Sequence, residues 1–170
     1  MKQTLHKTAG FSMIELLVVL ALCAIVCMVT LANLSFFDRL LVHAEAEKLF
    51  LTCCMLQQHA MSNNSSIELT FDPQKHSYRY NHTIERLPRT VRFGFIPGTK
   101  GPPAKPARKL SQAITFINQQ IIFYPDGIIK PGSVYLVSND RQIMYAISSP
   151  VSQVSFLRLY RYDKKWECLS

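Results

Sequence analysis

The sequence predicts an α+β chain, one long N-terminal helix followed by an antiparallel, β-rich head. Three observations predict it. No proline or glycine occurs between Phe11 and Met61, so nothing there breaks a helix. Val42, Ala46, Leu49, Cys53, Leu56 and Ala60 recur every three or four residues, which puts them on one helix face. After Ser66 the apolar period drops to two, and turn residues punctuate the chain to its end.

The helix divides in two by composition. From Phe11 to Phe37 the chain is apolar except for Ser12, Glu15, Thr30, Asn33 and Ser35. A helix of about 20 mostly apolar residues spans a bilayer core. Lys2 and Lys7 precede the run, so the positive-inside rule sets the N-terminus in the cytoplasm and residues 38–170 beyond the membrane. Residues 38–62 continue as an amphipathic stem whose apolar stripe needs a globular partner. With about 1.5 Å per residue, one helix of about 50 residues reaches about 75 Å. Ser62-Asn63-Asn64-Ser65-Ser66 stops it.

In the head, Ile67, Leu69 and Phe71 alternate with polar residues. Asp72-Pro73 turns the chain and Tyr78-Arg79-Tyr80 pairs back. A second strand covers 91–96. Residues 97–109 form a loop rich in proline and glycine that carries Lys100, Lys105, Arg108 and Lys109. Strands follow at 114–116, 121–124, 134–137, 143–147 and 154–162. Tyr124-Pro125-Asp126-Gly127, Pro131-Gly132 and Asn139-Asp140-Arg141 provide turns between them. One face of the resulting sheets packs on the stem.

Composition narrows the function classes. The 170 residues are 48% hydrophobic and 18% charged, which excludes a disordered tail. Five cysteines are too few for a disulfide mini-protein. The net charge of +8 favours anionic partners, and it is segregated. Residues 38–72 hold two basic and five acidic side chains, and residues 73–170 hold fifteen basic and five acidic ones. The head has no HExxH zinc site, no GxSxG elbow and no phosphate loop, so neither catalysis nor a cofactor or metal is expected.

An ordinary secretory signal, a lipoprotein signal and a plain anchor all compete for the first apolar run. Glu15 counts against all three, because a carboxylate inside hydrocarbon is costly and marks a functional position. The residues from Lys7 to Leu20, KTAGFSMIELLVVL, resemble the class III signal of type IV prepilins and type II secretion pseudopilins. That resemblance implies a leader, 1–10, removed by prepilin peptidase between Gly10 and Phe11. It also implies N-methylation of Phe11 and an assembly role for Glu15. A charge pair between Glu15 and the new amine of a neighbouring subunit would offset part of the burial cost of both.

The order of later features is similar to the H-type minor pseudopilins and the related minor pilins of type IV pili. These features are Ala60-x-x-Asn63, then Leu87-Pro88 with Val91-x-Phe93-Gly94, then Phe123-x-Pro125-Asp126-Gly127. The resemblance implies a β-sandwich-like head over 66–170, an inner-membrane location with the head periplasmic, and assembly with other pseudopilins or pilins on an inner-membrane platform. A minor pseudopilin of a type II secretion system is the first expectation. A minor pilin with a DNA-uptake role is the second.

Two sets of residues stay open. Arg158, Arg161, Lys164 and Lys165, interleaved with Tyr160, Tyr162 and Trp166, are candidate contacts to nucleic acid, although a solvated surface or docking on acidic neighbours fits them better. Cys168 is a candidate disulfide partner of Cys53 or Cys54, because many pilins tie down their C-terminus in this way. The competing expectation is unpaired, buried helix cysteines.

Overall fold

The computed structural model describes residues 12–32, 34–101, 109–150 and 156–170, with the side chains of 29–36 left aside. The chain forms two compact units, Met1–Ser35 and Phe36–Ser170.

The first unit holds α1 (Met13–Ala32). Its described side chains, residues 12–28, are apolar except for Ser12 and Glu15, and they are exposed on every side. A helix apolar all round asks for lipid or protein about its whole circumference. Among the described residues no helix is long and apolar enough to cross a membrane. The expected single helix is described as two stretches, α1 and α2 (Leu34–Ser62), and Asn33 between them lies outside the described residues.

In the second unit, α2 lays down its apolar stripe as the period requires. Val42, Ala46, Leu49, Cys53 and Ala60 are fully buried and Leu56 is nearly so. The helix ends in a Schellman motif. Asn64 takes φ 48°, the Ser65 N–H donates to the Ala60 carbonyl, and the Asn64 N–H donates to that of Met61. The expected stop therefore has a mechanism, with an asparagine in the left-handed position where glycine is more usual.

Among the described residues nine antiparallel strands follow: β1 (Ile67–Asp72), β2 (Ser77–Tyr80), β3 (Thr83–Arg86), β4 (Val91–Phe93), β5 (Gln120–Phe123), β6 (Gly132–Ser138), β7 (Met144–Ser149), β8 (Arg158–Asp163) and β9 (Lys165–Cys168). They form a four-stranded sheet in the order β3-β2-β1-β5 and a five-stranded sheet in the order β4-β6-β7-β8-β9. The α+β class read from the sequence is the class observed.

One core joins α2 to both sheets. The α2 stripe meets Leu69, Phe71, Tyr78, Ile121 and Phe123 of the smaller sheet, and Val134, Leu136, Ile147 and Leu159 of the larger one. The opposite face of the five-stranded sheet has its own cluster. There Tyr135, Val137, Met144, Ala146 and Tyr160 lie under Phe95, Ile96, Leu110, Tyr162 and Trp166. β6 and β7 are buried on both faces, so they read as apolar runs rather than alternations.

Three expectations are corrected. The strand placed at 114–116 is only an isolated bridge, Ile114 to Val134. Phe116 leaves the ladder to lay its ring over Gly132, and the chain then turns through a 3-10 segment at Ile117–Gln119. β3 and β9 were not expected. β3 follows a two-residue reversal at Asn81-His82 and has only one large aliphatic side chain, Ile84. β9 follows a reversal at Lys164, φ 66°, with no glycine or asparagine to signal it. The 91–96 strand ends at Phe93. Of the strand expected at 154–162, residues 154 and 155 lie outside the described residues.

The turns expected after Asp72, at Tyr124–Gly127 and at Asn139-Asp140-Arg141 form, whereas the chain only bends at Pro131 and Gly132 already begins β6. In the Tyr124–Gly127 turn the Gly127 N–H donates to the Tyr124 carbonyl at 2.9 Å, and the Asp126 carboxylate accepts from the Ile128 N–H. The Gln57 amide of α2 donates to the Gly127 carbonyl at 2.8 Å, fastening this turn to the stem.

Candidate functional site

Gly10 and Phe11, the expected cleavage pair, lie outside the described residues. Glu15 is described, in the first turn of α1. Its Oε2 accepts from the Ser12 backbone N–H at 3.0 Å. That is the reach-back half of a capping box, with Ser12 at the cap and Glu15 three residues on. The helix N-terminus also favours a negative charge at this position. Glu15 thus has a donor within its own chain, and the carboxylate keeps capacity to accept from a second one.

The basic residues near the C-terminus do not all share one face. Side chains alternate along β8, so Arg158 lies on the face of Tyr160 and Tyr162, and Arg161 lies on the other. Arg158 sits over the Phe156 ring at 5.0 Å. Arg161 is engaged, donating to Glu167 Oε2 at 2.8 Å. Lys164 and Lys165 occupy the exposed reversal between β8 and β9.

Trp166 does what sequence reasoning missed. Its ring packs against Tyr135, Tyr160 and Tyr162, with centroids 5.0–6.3 Å away. Its indole N–H donates to the Lys100 carbonyl at 2.9 Å. The Lys100–Lys109 bridge is thereby fastened to the C-terminal hairpin. Lys105 and Arg108 lie outside the described residues. The signal was present in the sequence as a single tryptophan among tyrosines at a period of two.

Cys53, Cys54 and Cys168 are all thiols. Cys53 is buried in the core under α2, and desolvation pushes its thiol well above the usual range. Burial also raises that of Cys54. Cys168 pairs with Tyr160 across β8 and β9, so it points to the face turned away from α2. Cys53 and Cys168 thus lie on opposite sides of the five-stranded sheet.

The turn aspartates serve their own loops. Asp72 accepts from the N–H groups of Gln74 and Lys75, and Asp140 accepts from that of Gln142. Among the described residues no three His, Cys, Asp or Glu side chains gather to hold a metal. His43 is half-buried. It stacks on Tyr145 at 5.5 Å and lies 3.3 Å from Glu47.

Comparison with known families matches residues 5–31 to the prokaryotic N-terminal methylation motif. No curated protein and no solved structure matches the chain. The motif covers the Gly10–Phe11 pair, Glu15 and most of α1, and it identifies a type IV pilin-like signal at the head of this chain.

Proposed function

We propose that this chain is a minor pseudopilin of a type II secretion system. In this reading prepilin peptidase cuts between Gly10 and Phe11 and methylates Phe11. Residues 11–37 hold the subunit in the inner membrane, the stem over 38–62 carries the head over 66–170 in the periplasm, and subunits assemble into a short filament that drives protein export. The observation that carries the reading is the methylation motif over 5–31, with Glu15 five residues after the expected cut, at the start of a helix that is apolar all round. The α+β head on α2 agrees with it.

The mechanism is mechanical and electrostatic. Cleavage frees an amine at Phe11, and Glu15 of an adjacent subunit has lone pairs left to accept from it, so axial register comes from pairing two charges that are costly apart. Mass spectrometry of the native protein tests the first step, with an N-terminal peptide beginning at methylated Phe11 expected. An intact leader overturns the proposal. Glu15→Ala is expected to be cut and accumulate normally but to be lost from sheared filaments. Wild-type assembly of that variant removes the charge-pairing step.

A minor pilin with a role in DNA uptake is the second reading, favoured by the Trp166 contact that joins the basic loop to the Lys164-Lys165 hairpin. The readouts differ. Deletion of the gene abolishes export of secreted proteins under the first reading, and it abolishes transformation with export intact under the second.

A further inference from the structure

The outer face of the four-stranded sheet carries a cleft of about 410 Å³ that neither reading uses. Its floor is set by register. Thr70 of β1 lies opposite Arg79 of β2, and Arg79 lies opposite Ile84 of β3. Two residues along, Ser77 lies opposite Arg86. Arg79 and Arg86 are therefore diagonal neighbours on adjacent strands, within reach of one another's side chains. Both are exposed, and among the described residues neither forms an ion pair. Lys75 adds a third cation at the rim.

The single acid in the cleft does not neutralise them. Asp72 Oδ1 is committed to the backbone N–H groups of Gln74 and Lys75, and its Oδ2 lies 3.9 Å from Lys75 Nζ. Two guanidinium forks and Lys75 thus share a concave surface with hydroxyls and one carboxylate, which leaves the lining net positive. Gln119 closes one end. It sits at φ 56° directly after Asn118 at φ 54°. Asparagine tolerates that region, but a glutamine held there is strained, as happens where a side chain has to be delivered to one place.

We propose that this cleft binds a phosphate group. Guanidinium forks recognise planar or tetrahedral oxyanions in bidentate fashion. The donors here, from Arg79, Arg86, Lys75, the Thr70 and Ser77 hydroxyls and the Gln119 amide, outnumber what the two oxygens of a carboxylate accept. A phosphate offers three terminal oxygens and more charge. Ile84, 62% exposed at the cleft, gives the carbon skeleton of such a ligand an apolar contact.

The test uses the full chain in micelles of an uncharged detergent, with titration calorimetry against inorganic pyrophosphate and against glycerol 3-phosphate, and sedimentation with phosphatidate vesicles. Saturable binding is expected with at least one probe. Arg79→Gln with Arg86→Gln is expected to weaken it about tenfold or more. The charge-matched pair Lys130→Gln with Arg141→Gln is expected to leave it unchanged. Arg79→Lys with Arg86→Lys keeps the charge but loses the forks, and an intermediate loss is expected. Trp166 emission checks that each variant is folded. Binding of the soluble probes assigns a free phosphate ligand, and vesicle binding alone assigns a lipid headgroup, provided either depends on Arg79 and Arg86. No saturation with any probe, or equal losses in the two Gln pairs, overturns the proposal.

Discussion

At the scale of single residues, Gly132 and Glu45 are set by what surrounds them. A Cβ on Gly132 would stand 2.2 Å from the Phe116 ring, which is itself buried in the core. The ring cannot withdraw without opening that core, so Gly132→Ala is expected to cost about 1–3 kcal/mol, read as a lower melting temperature. Glu45 is half-buried on α2, and its carboxyl is held above the usual glutamate range. Burial is the largest cause, Lys48 opposes it, and Glu85 adds to it. An acid whose folded value is raised leaves the folded state relatively more stable while protonated, and that advantage is lost as pH rises through the carboxylate range. Glu45→Gln is therefore expected to raise the melting temperature at pH 7 and to leave it unchanged once both forms are neutral, near pH 3. A gain that persists undiminished in acid would contradict the assigned cause. Neither effect was legible in the sequence, where Gly132 reads as a turn residue and Glu45 as part of the polar side of a helix.

At the scale of elements, legibility followed how each element is stabilised. The α2 stripe was readable residue by residue, because a single buried face imposes a period of 3.6 and the structure buries the same six side chains. Leu49→Ala in that stripe is expected to cost about 2–5 kcal/mol in denaturant unfolding, since helix and sheets surround the site and it cannot collapse. β3 and β9 were unreadable for the complementary reason. They are sheet edges, held by backbone ladders and turn geometry rather than by an apolar alternation. The basic C-terminal cluster looked continuous along the chain, yet strand alternation sends Arg158 and Arg161 to opposite faces. The Lys100–Lys109 bridge is tied to β9 by the Trp166–Lys100 bond. Trp166→Phe keeps most of the ring packing and removes that bond, so trypsin is expected to cut the Lys100–Lys109 loop faster while the melting temperature changes little. Unchanged cleavage would show that the loop is held by Phe95, Ile96 and Leu110 alone.

For the whole molecule, the decisive fact is that the described core lies within Phe36–Ser170, while α1 belongs to the other unit and its described side chains are exposed and, Glu15 apart, apolar. Stability of the two units then has separate sources. The second unit is held by burial shared among α2 and two sheets, and it should unfold cooperatively. α1 should depend on whatever apolar medium surrounds it. The single tryptophan, Trp166, belongs to the second unit and makes the two separable by spectroscopy. In detergent micelles, heating the full chain is expected to give one Trp166 transition, with part of the far-ultraviolet helical signal remaining above it. Leu49→Ala should move the tryptophan transition to lower temperature and leave the residual helical signal where it was. If that residual signal instead falls with the tryptophan transition, and moves with it in the variant, α1 draws its stability from the head, and the reading of α1 as an element awaiting lipid or neighbouring subunits loses its physical basis.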